Sequence, residues 1–163
     1  MSQSPLVING WTIFADPCFL ESVAALQQKV LQLRKKHPET WVLKNSAKRL
    51  AMIVRLILKD IPEDPTRDIY RQGLTLGNPY KHWRRAKFYQ QYRLFFRYHS
   101  KRKIIVIGWV NDPDTKRAYD SKADVYKVFK KMLESGHPPN NWDELLKGAK
   151  AETERLKTVL DDI

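Results

Sequence analysis

The apolar positions near the start of the chain predict one strand followed by one helix. Residues 6–15 are rich in β-branched and aromatic side chains, a composition typical of a short strand. Asp16 and Pro17 then supply a helix N-cap and a proline at the first helical position. Apolar residues recur at spacings of three and four from Phe19 to Leu33, which predicts an amphipathic helix that ends in a basic segment.

A second apolar stripe predicts another helix over roughly residues 45–60. Asn45 or Ser46 is its expected N-cap, and Pro62 and Pro65 are expected to end it. Two consecutive helices after a strand predict a two-helix hairpin packed across one face of a sheet.

The pattern changes to strand periodicity after a long predicted loop at residues 63–80, whose length itself points to a functional segment. Residues 83–88 and 92–98 alternate between polar and apolar side chains, as half-buried strands do. Residues 103–110 are almost continuously apolar, which predicts a central strand covered on both faces. The short connection at 99–102 predicts that the last two strands form an antiparallel hairpin.

Strand alternation sorts the side chains of this region into two faces. One face is apolar and is expected to face the core; it carries Tyr92, Leu94, Phe96 and Tyr98. The other face carries cations from two strands. We expect these cations to form one outward set: Arg85, Lys87, Arg93 and Arg97.

The remaining chain predicts a turn at residues 111–115, a helix at 122–135 and a last helix from Trp142 to about Leu160. These elements together predict an α+β fold: an antiparallel-rich twisted sheet with the N-terminal two-helix hairpin on one face and C-terminal helices. We expect a single domain over residues 1–163 with a C-terminal helical extension at about 140–163.

Charge is distributed unevenly along the chain. The formal net charge is +12, from 30 Lys and Arg against 18 Asp and Glu. Residues 69–111 hold ten of the cations and no carboxylate, so the rest of the chain carries 20 minus 18, or +2. Cations interleaved with aromatic residues predict a surface for a polyanion. Nucleic acid and an acidic protein both fit, whereas lipid binding usually needs a basic amphipathic helix or a lipid anchor.

Several other classes of protein are disfavoured by the sequence. The longest apolar runs have four or five residues, too few to cross a bilayer. Residues 1–6 lack a secretory signal pattern, so a cytoplasmic location without membrane association is expected. The lone cysteine, Cys18, permits neither an internal disulfide nor a cysteine-based metal site. No phosphate-binding glycine loop, HExxH or GxSxG motif is present, and no cofactor or metal is expected.

A surface rich in cations and free of carboxylates still allows one kind of nuclease chemistry. A two-metal nuclease needs acidic ligands, but RNA can attack its own phosphate through the 2′-OH. The protein must then supply a base, positive charge for the transition state and a proton donor. Arginine stays protonated, whereas lysine can act as a base beside other cations, and Lys87 lies beside Arg85 and Arg93 in the predicted sheet.

Specific stretches of the sequence resemble the YhaV family of the RelE superfamily. They span most of the chain from Asn9 to Trp142: NGW, ADPCF, KFYQQYRLFFRY, IIVIGWVND, RAY at 117–119, DVYKVFKKML and GHPP at 136–139. The resemblance implies a RelE-like toxin of a type II toxin–antitoxin pair, an endoribonuclease that cleaves mRNA in association with the ribosome. It also implies neutralisation by a PrlF-type antitoxin of the swapped-hairpin DNA-binding class, through which alone operator DNA would be contacted.

The resemblance also implies site residues. The catalytic candidates are Arg85, Lys87, Arg93 and Arg117 with Tyr126 or Tyr119. The RNA-binding candidates are Lys81, His82, Arg84, Arg97, Lys116 and Lys122. The chain departs from the RelE pattern where Arg85 stands for a lysine, which leaves Lys87 as the natural base. The inserted residues 111–115 leave open which tyrosine matches the family.

Three alternatives remain at this stage. The cations can be a solvated strand face without function, which is the commonest fate of such a face. The chain can be a non-catalytic nucleic-acid-binding protein that uses the same cations for phosphate contacts. The basic face can also be chiefly the docking surface for an acidic antitoxin segment, which is compatible with catalysis at the same site.

Overall fold

A computed structural model describes residues 4–119 and 121–161. Residues 1–3, which belong to the segment 1–6 that lacks a secretory signal pattern, lie outside the described residues. The centre of the fold is a five-stranded sheet with strand order β1-β2-β5-β4-β3. β2 and β5 are parallel, and the other neighbours are antiparallel. The strands are β1 (Leu6–Ile8), β2 (Trp11–Ala15), β3 (Arg84–Phe88), β4 (Tyr92–His99) and β5 (Ile104–Val110). The predicted α+β class is confirmed.

The single strand predicted over residues 6–15 is wrong, because this segment is a tight hairpin. Asn9 and Gly10 have φ angles of 51° and 81°, and Ile8 pairs with Trp11 across the turn. Two successive positive φ angles are the geometry of a type I′ turn, which Asn-Gly adopts readily. The dipeptide was therefore the signal that the strand reverses.

The first helical layer contains α1 (Pro17–Lys36) and α2 (Asn45–Arg55). Both contribute buried side chains to the apolar core on one face of the sheet. The Asp16 carboxylate accepts the Cys18 amide at 2.8 Å, which confirms the predicted N-cap of α1. The antiparallel hairpin arrangement of these two helices stays a prediction.

The second helix begins at Asn45, as predicted, but its predicted N-cap and its predicted end are wrong. Its N-cap is Lys44, without a side-chain hydrogen bond. At its other end the helix continues as a π-helical stretch, Leu56–Asp60, and then as α3 (Ile61–Glu63). Pro62 lies within this last turn, because the wider π-helical spacing before it makes room for the proline ring.

The opposite face of the sheet is covered by α4 (Val125–Glu134) and α5 (Trp142–Lys150). The Phe129 ring of α4 stacks on Phe95 of β4, with 4.1 Å between ring centroids. The long C-terminal helix predicted from Trp142 to Leu160 is instead two helices, since α6 (Thr153–Asp161) follows after a break. The break is needed because α5 packs into this second core whereas α6 packs into the first.

Because helices cover both faces of the sheet, the prediction that these four cations all point outward is wrong. Arg93 is only 6% exposed, Arg85 and Arg97 are half-buried, and Lys87 alone is exposed. Sequence alternation separated the two faces of the strands properly, but it did not show that α4 and α5 pack over the second one. In the described part of the chain, no helix combines the length and apolarity needed to span a membrane.

Candidate active site

Two adjacent strands bring cations to the hydroxyl group of Tyr126 in α4. Arg85 of β3 donates its Nε–H to this oxygen at 2.9 Å, and Arg93 of β4 donates its Nε–H at 3.1 Å. The tyrosine lies in the first turn of α4 and is buried edge-on against the Phe95 ring. Because β3 and β4 are adjacent and antiparallel, side chains of the same face on both strands reach the same point above the sheet.

A second hydrogen bond fixes each of these two guanidinium groups. Arg85 Nη1 donates to the carbonyl of Ile69 at 2.9 Å, which ties the long loop at residues 63–80 to the site. Arg93 Nη1 donates to the carbonyl of Gln90 at 2.6 Å, in the turn between β3 and β4. A guanidinium held at two nitrogens has little rotamer freedom left to lose when it meets an anion.

Arg117 reaches the same tyrosine from the segment before α4. Its Cζ lies 4.9 Å from the centroid of the Tyr126 ring and 3.7 Å from that of Tyr119. Its Nη1 donates to the carboxylate of Asp124 at 2.7 Å. The arginines at 85, 93 and 117, together with Tyr126 and Asp124, are called the arginine cluster below.

Asp124 is the centre of the local hydrogen bonding that places Arg117. One carboxylate oxygen also accepts the Ala118 amide at 2.6 Å, and the other accepts the Tyr126 amide at 3.1 Å. Burial acts to raise the pKa of Asp124, but the hydrogen bond and charge of Arg117 and the backbone amides outweigh it and lower the pKa. Sequence analysis missed this residue by starting the helix at residue 122, although an aspartate just before an apolar helical repeat is an N-cap signal.

Asn111 is a second positioning residue that sequence analysis missed. Its side-chain oxygen accepts the backbone amide of Arg93 at 2.7 Å. Its amide nitrogen donates to the carbonyls of Gln91 and Thr115 at 3.2 and 2.9 Å. The turn predicted at residues 111–115 is therefore present as a short 3-10 segment, Pro113–Thr115, that leads into Arg117.

Two of the catalytic candidates remain open to solvent. Lys87 pairs with Arg93 across β3 and β4 and lies on the same face of β3 as Arg85. It lines a cleft of about 520 Å³ together with Arg71 and Arg85. Tyr119 is 78% exposed, with its ring against Arg117. The same cleft also contains the carboxylates of Asp60 and Asp68, which pair with Arg55 and Arg71. The accessible edge thus offers cations, one aromatic face and two paired carboxylates.

The six RNA-binding candidates occupy different environments. Arg97 lies between the rings of Trp83 and Trp142 and donates to the carbonyl of Asn140, and burial lowers its pKa. Arg84 points to the other face of the sheet, over Tyr98. The other four are exposed: Lys81, His82, Lys116 and Lys122. Burial, then the neighbouring cations, lower the pKa of His82.

The charged groups of the site are mainly cations. The one carboxylate in the arginine cluster, Asp124, is already engaged by Arg117 and two backbone amides. Within residues 4–119 and 121–161, no three His, Cys, Asp or Glu side chains are grouped so as to hold a metal ion. The arrangement supplies fixed positive charge, and the Tyr126 oxygen accepts two bonds while its own O–H remains to donate.

Comparisons with known proteins identify the family of this chain. A family model described as a toxin with endonuclease activity, of a toxin–antitoxin system, matches residues 13–150. The ribonuclease toxin YhaV of Escherichia coli K12 is 44% identical over 143 residues, which cover 86% of this chain and 93% of that protein. Toxin YhaV of Escherichia coli O157:H7 matches to the same extent.

One solved structure also matches, the RelBE2 toxin–antitoxin complex from Mycobacterium tuberculosis. Its TM-score is 0.42 with 16% identity, over 66% of this chain and 95% of that chain. The family match and the identity to the curated relatives extend over most of the sequence. The chain therefore belongs to the YhaV family of ribonuclease toxins from toxin–antitoxin systems.

Proposed function

We propose that this toxin cleaves mRNA without a metal ion, by making the 2′-OH attack the adjacent phosphate at the arginine cluster. The observation that carries the proposal is the convergence of Arg85, Arg93 and Arg117 on Tyr126. Preorganised cations stabilise charge that develops on a phosphate in the transition state, and they do so without reorganisation. The name of the Escherichia coli K12 relative, a ribonuclease toxin, supports RNA as the substrate.

The cleavage step is a transesterification. A bond forms between the 2′-oxygen and phosphorus while the bond from phosphorus to the 5′-oxygen breaks. Lys87 takes the 2′-OH proton, Arg117 stabilises the negative charge that develops on the phosphate, and water in the open cleft gives a proton to the leaving 5′-oxygen. The products are a 2′,3′-cyclic phosphate and a 5′-OH, and no other reactant is consumed.

The burial of the cluster members assigns different roles to them. Arg85 and Arg117 are partly exposed and would contact the scissile phosphate directly. Arg93 and Tyr126 are almost fully buried, and they would hold Arg85 in place through the shared hydroxyl. Tyr119, exposed beside Arg117, would stack against a base next to the cleaved bond.

The wider partners follow from the same proposal. Exposed Lys81, His82, Lys116 and Lys122 would bind the RNA backbone. The substrate would be mRNA in the cytoplasm, both free and in association with the ribosome. A PrlF-type antitoxin would neutralise the toxin and provide its contact with operator DNA, and we assign the fold to the RelE superfamily on the sequence resemblance described above.

Induced expression of wild type against single variants tests the proposal. Lys87→Ala and Arg85→Ala are expected to abolish growth arrest and mRNA decay, whereas Lys131→Ala, an exposed α4 residue outside the cluster, is expected to retain both. RNA binding by the purified variants should persist. Folded Lys87→Ala and Arg85→Ala proteins that cleave like wild type would overturn the proposal. Equal, modest losses of RNA binding without any cleavage by wild type would identify a non-catalytic nucleic-acid-binding protein.

A further inference from the structure

An open apolar groove of about 590 Å³ lies on the surface of the helical layer opposite the arginine cluster. It runs between α1 and α2 and is closed at one end by the 3-10 turn Trp41–Leu43. Val30 and Leu50 form its buried floor. Leu31 and Val42 line it while 46% and 54% exposed, and isolated aliphatic side chains of this size gain free energy when a partner covers them.

The charge around this groove is strongly positive. Arg34 and Lys48 stand at its rim. The chain around it, residues 22–59, contains nine Lys and Arg and a single acidic residue, Glu39, although Arg49 is buried against Tyr92 and Arg55 pairs with Asp60. Its net charge of +8 is comparable to that of the +10 window at residues 69–111. An occupant with an apolar face and flanking carboxylates would match both properties of the groove.

The groove also ends at the turn that supports the arginine cluster. Tyr89 lines the groove, and its hydroxyl donates to the Lys48 carbonyl at 3.4 Å. The next residue, Gln90, accepts the hydrogen bond from Arg93. Tyr89 and Gln90 have φ angles of 46° and 65°, so this turn holds two non-glycine residues in the left-handed region. A chain that leaves the groove at Tyr89 is therefore next to the cluster.

We propose that the groove binds an acidic amphipathic helix of the antitoxin. Its apolar face would fill the space above Leu31 and Val42, and its carboxylates would pair with Arg34 and Lys48. The segment that follows this helix would cross the Tyr89 turn and cover the arginine cluster. This proposal adds a partner-binding site to the proposed toxin function. It rests on the toxin having an antitoxin partner and is independent of how RNA is cleaved.

The aliphatic side chains that line the groove favour a helix over RNA as the occupant. Helix-in-groove recognition uses apolar anchors spaced along one helical face. RNA bases stack on aromatic or guanidinium planes, which the groove has in Trp41, Tyr89 and Arg34. The aliphatic residues Val30, Leu31, Val42 and Leu50 are therefore what favours a helix. RNA binding at this groove is accordingly an outcome that the test below can detect and that would count against the proposal.

Three matched variants test the groove. Leu31→Glu and Val42→Glu put a carboxylate on the apolar surface that the helix would cover. Val7→Glu does the same on β1, where Val7 is 55% exposed and outside the groove. All three replace solvent-exposed side chains, so their melting temperatures are expected to stay close to that of wild type, which calorimetry would verify.

The affinity of each purified variant for the purified cognate antitoxin is then measured by titration calorimetry. We expect the dissociation constant to rise by about 30-fold or more for Leu31→Glu and Val42→Glu, and to stay within about twofold for Val7→Glu. RNA cleavage by the free toxin should be unchanged in all three. Antitoxin affinity equal to wild type in both groove variants would overturn the proposal, as would a loss of RNA binding with antitoxin affinity retained.

A charge variant provides a second measurement. Lys48→Glu should slow antitoxin association about tenfold at low salt, and the difference should shrink as salt is raised. Association that is unchanged by Lys48→Glu at low salt would contradict the charge pairing. Because this experiment measures antitoxin binding, a toxin that does not cleave RNA would contradict the proposed function without affecting the result of this test.

Discussion

Two regions of this molecule are strongly basic, and they hold their cations in different ways. In the arginine cluster, Arg85 and Arg93 each donate to the Tyr126 hydroxyl and to a backbone carbonyl. At the groove, Lys48 is exposed and Arg34 is exposed with its guanidinium against the Trp41 ring, 4.8 Å from its centroid. Fixed cations suit a defined transition state, whereas loosely held cations beside an apolar surface suit a docking partner.

This comparison also corrects the charge distribution inferred from the sequence. Removing residues 69–111 leaves a net charge of only +2, which made that window look like the single basic region. The remainder in fact combines a +8 segment at residues 22–59 with 11 basic and 17 acidic residues elsewhere. The two regions lie on opposite faces of the sheet, so charge alone does not tell which one acts on RNA.

The largest expected effect is on the rate of RNA cleavage, which should fall for a variant of the arginine cluster but not for a variant of the groove. Arg85→Gln removes a cation fixed by two hydrogen bonds, and we expect the cleavage rate to fall by about 10²–10³-fold. Lys48→Gln removes a loosely held cation at the groove, and we expect the rate to stay within about twofold. Rates on a purified RNA under single-turnover conditions give both values. Equal losses in the two variants would mean that the cations act only as a general polyanion surface.

A smaller effect is expected from the residue that places Arg117. Asp124→Asn keeps a helix N-cap but removes the charge that holds the guanidinium, so we expect a rate loss of about 10–100-fold. The free energy of unfolding should fall by about 1–3 kcal/mol. An altered pH–rate profile, with RNA affinity retained, would separate positioning from general destabilisation. A variant that is destabilised but cleaves at the wild-type rate would show that Asp124 is only structural.

The packing beneath the cluster gives a third test. A Cβ at Gly108 would lie 2.5 Å from Cζ3 of Trp83, in the apolar layer that carries Phe95 under Tyr126. We therefore expect Gly108→Ala to cost about 1–3 kcal/mol of stability. Gly148→Ala, where a Cβ meets no neighbour within 4 Å, should stabilise α5 by up to about 1 kcal/mol. Urea denaturation of both variants measures the contrast, and equal values would contradict the tight packing.

The smallest expected effect is on the pH dependence of stability. The native pKa of Asp124 is lowered, so its contribution is fully present above the pKa of an unfolded aspartate, about 3.9. That contribution is lost as the pH falls through the lowered native value. The stability difference between wild type and Asp124→Asn should therefore be constant near neutral pH and shrink below about pH 4. A difference that grows on acidification would contradict this.

Much of the fold was accessible from sequence because its signals are local. The Asp16 cap and the apolar repeat fixed α1, and the alternation of β4 separated Tyr92 from Arg93 onto the proper faces. The Asn9-Gly10 hairpin was equally local and was overlooked.

The long-range features were not accessible in the same way. Burial of Arg93 depends on α4 packing over the strand, and the break before α6 depends on which core each helix joins. The roles of Asp124 and Asn111 depend on hydrogen bonds to Arg117 and Arg93, which residue spacing alone does not reveal.

The most direct test of the central claim is the chemistry of the cut ends. Purified toxin should cleave RNA in the presence of EDTA and leave a 2′,3′-cyclic phosphate and a 5′-OH, as shown by mass spectrometry of the fragments and by 5′-end labelling without prior phosphatase treatment. Arg85→Gln should yield the same ends at a much lower rate. Fragments with a 5′-phosphate, or activity that EDTA abolishes and divalent cations restore, would contradict self-attack of RNA at the arginine cluster.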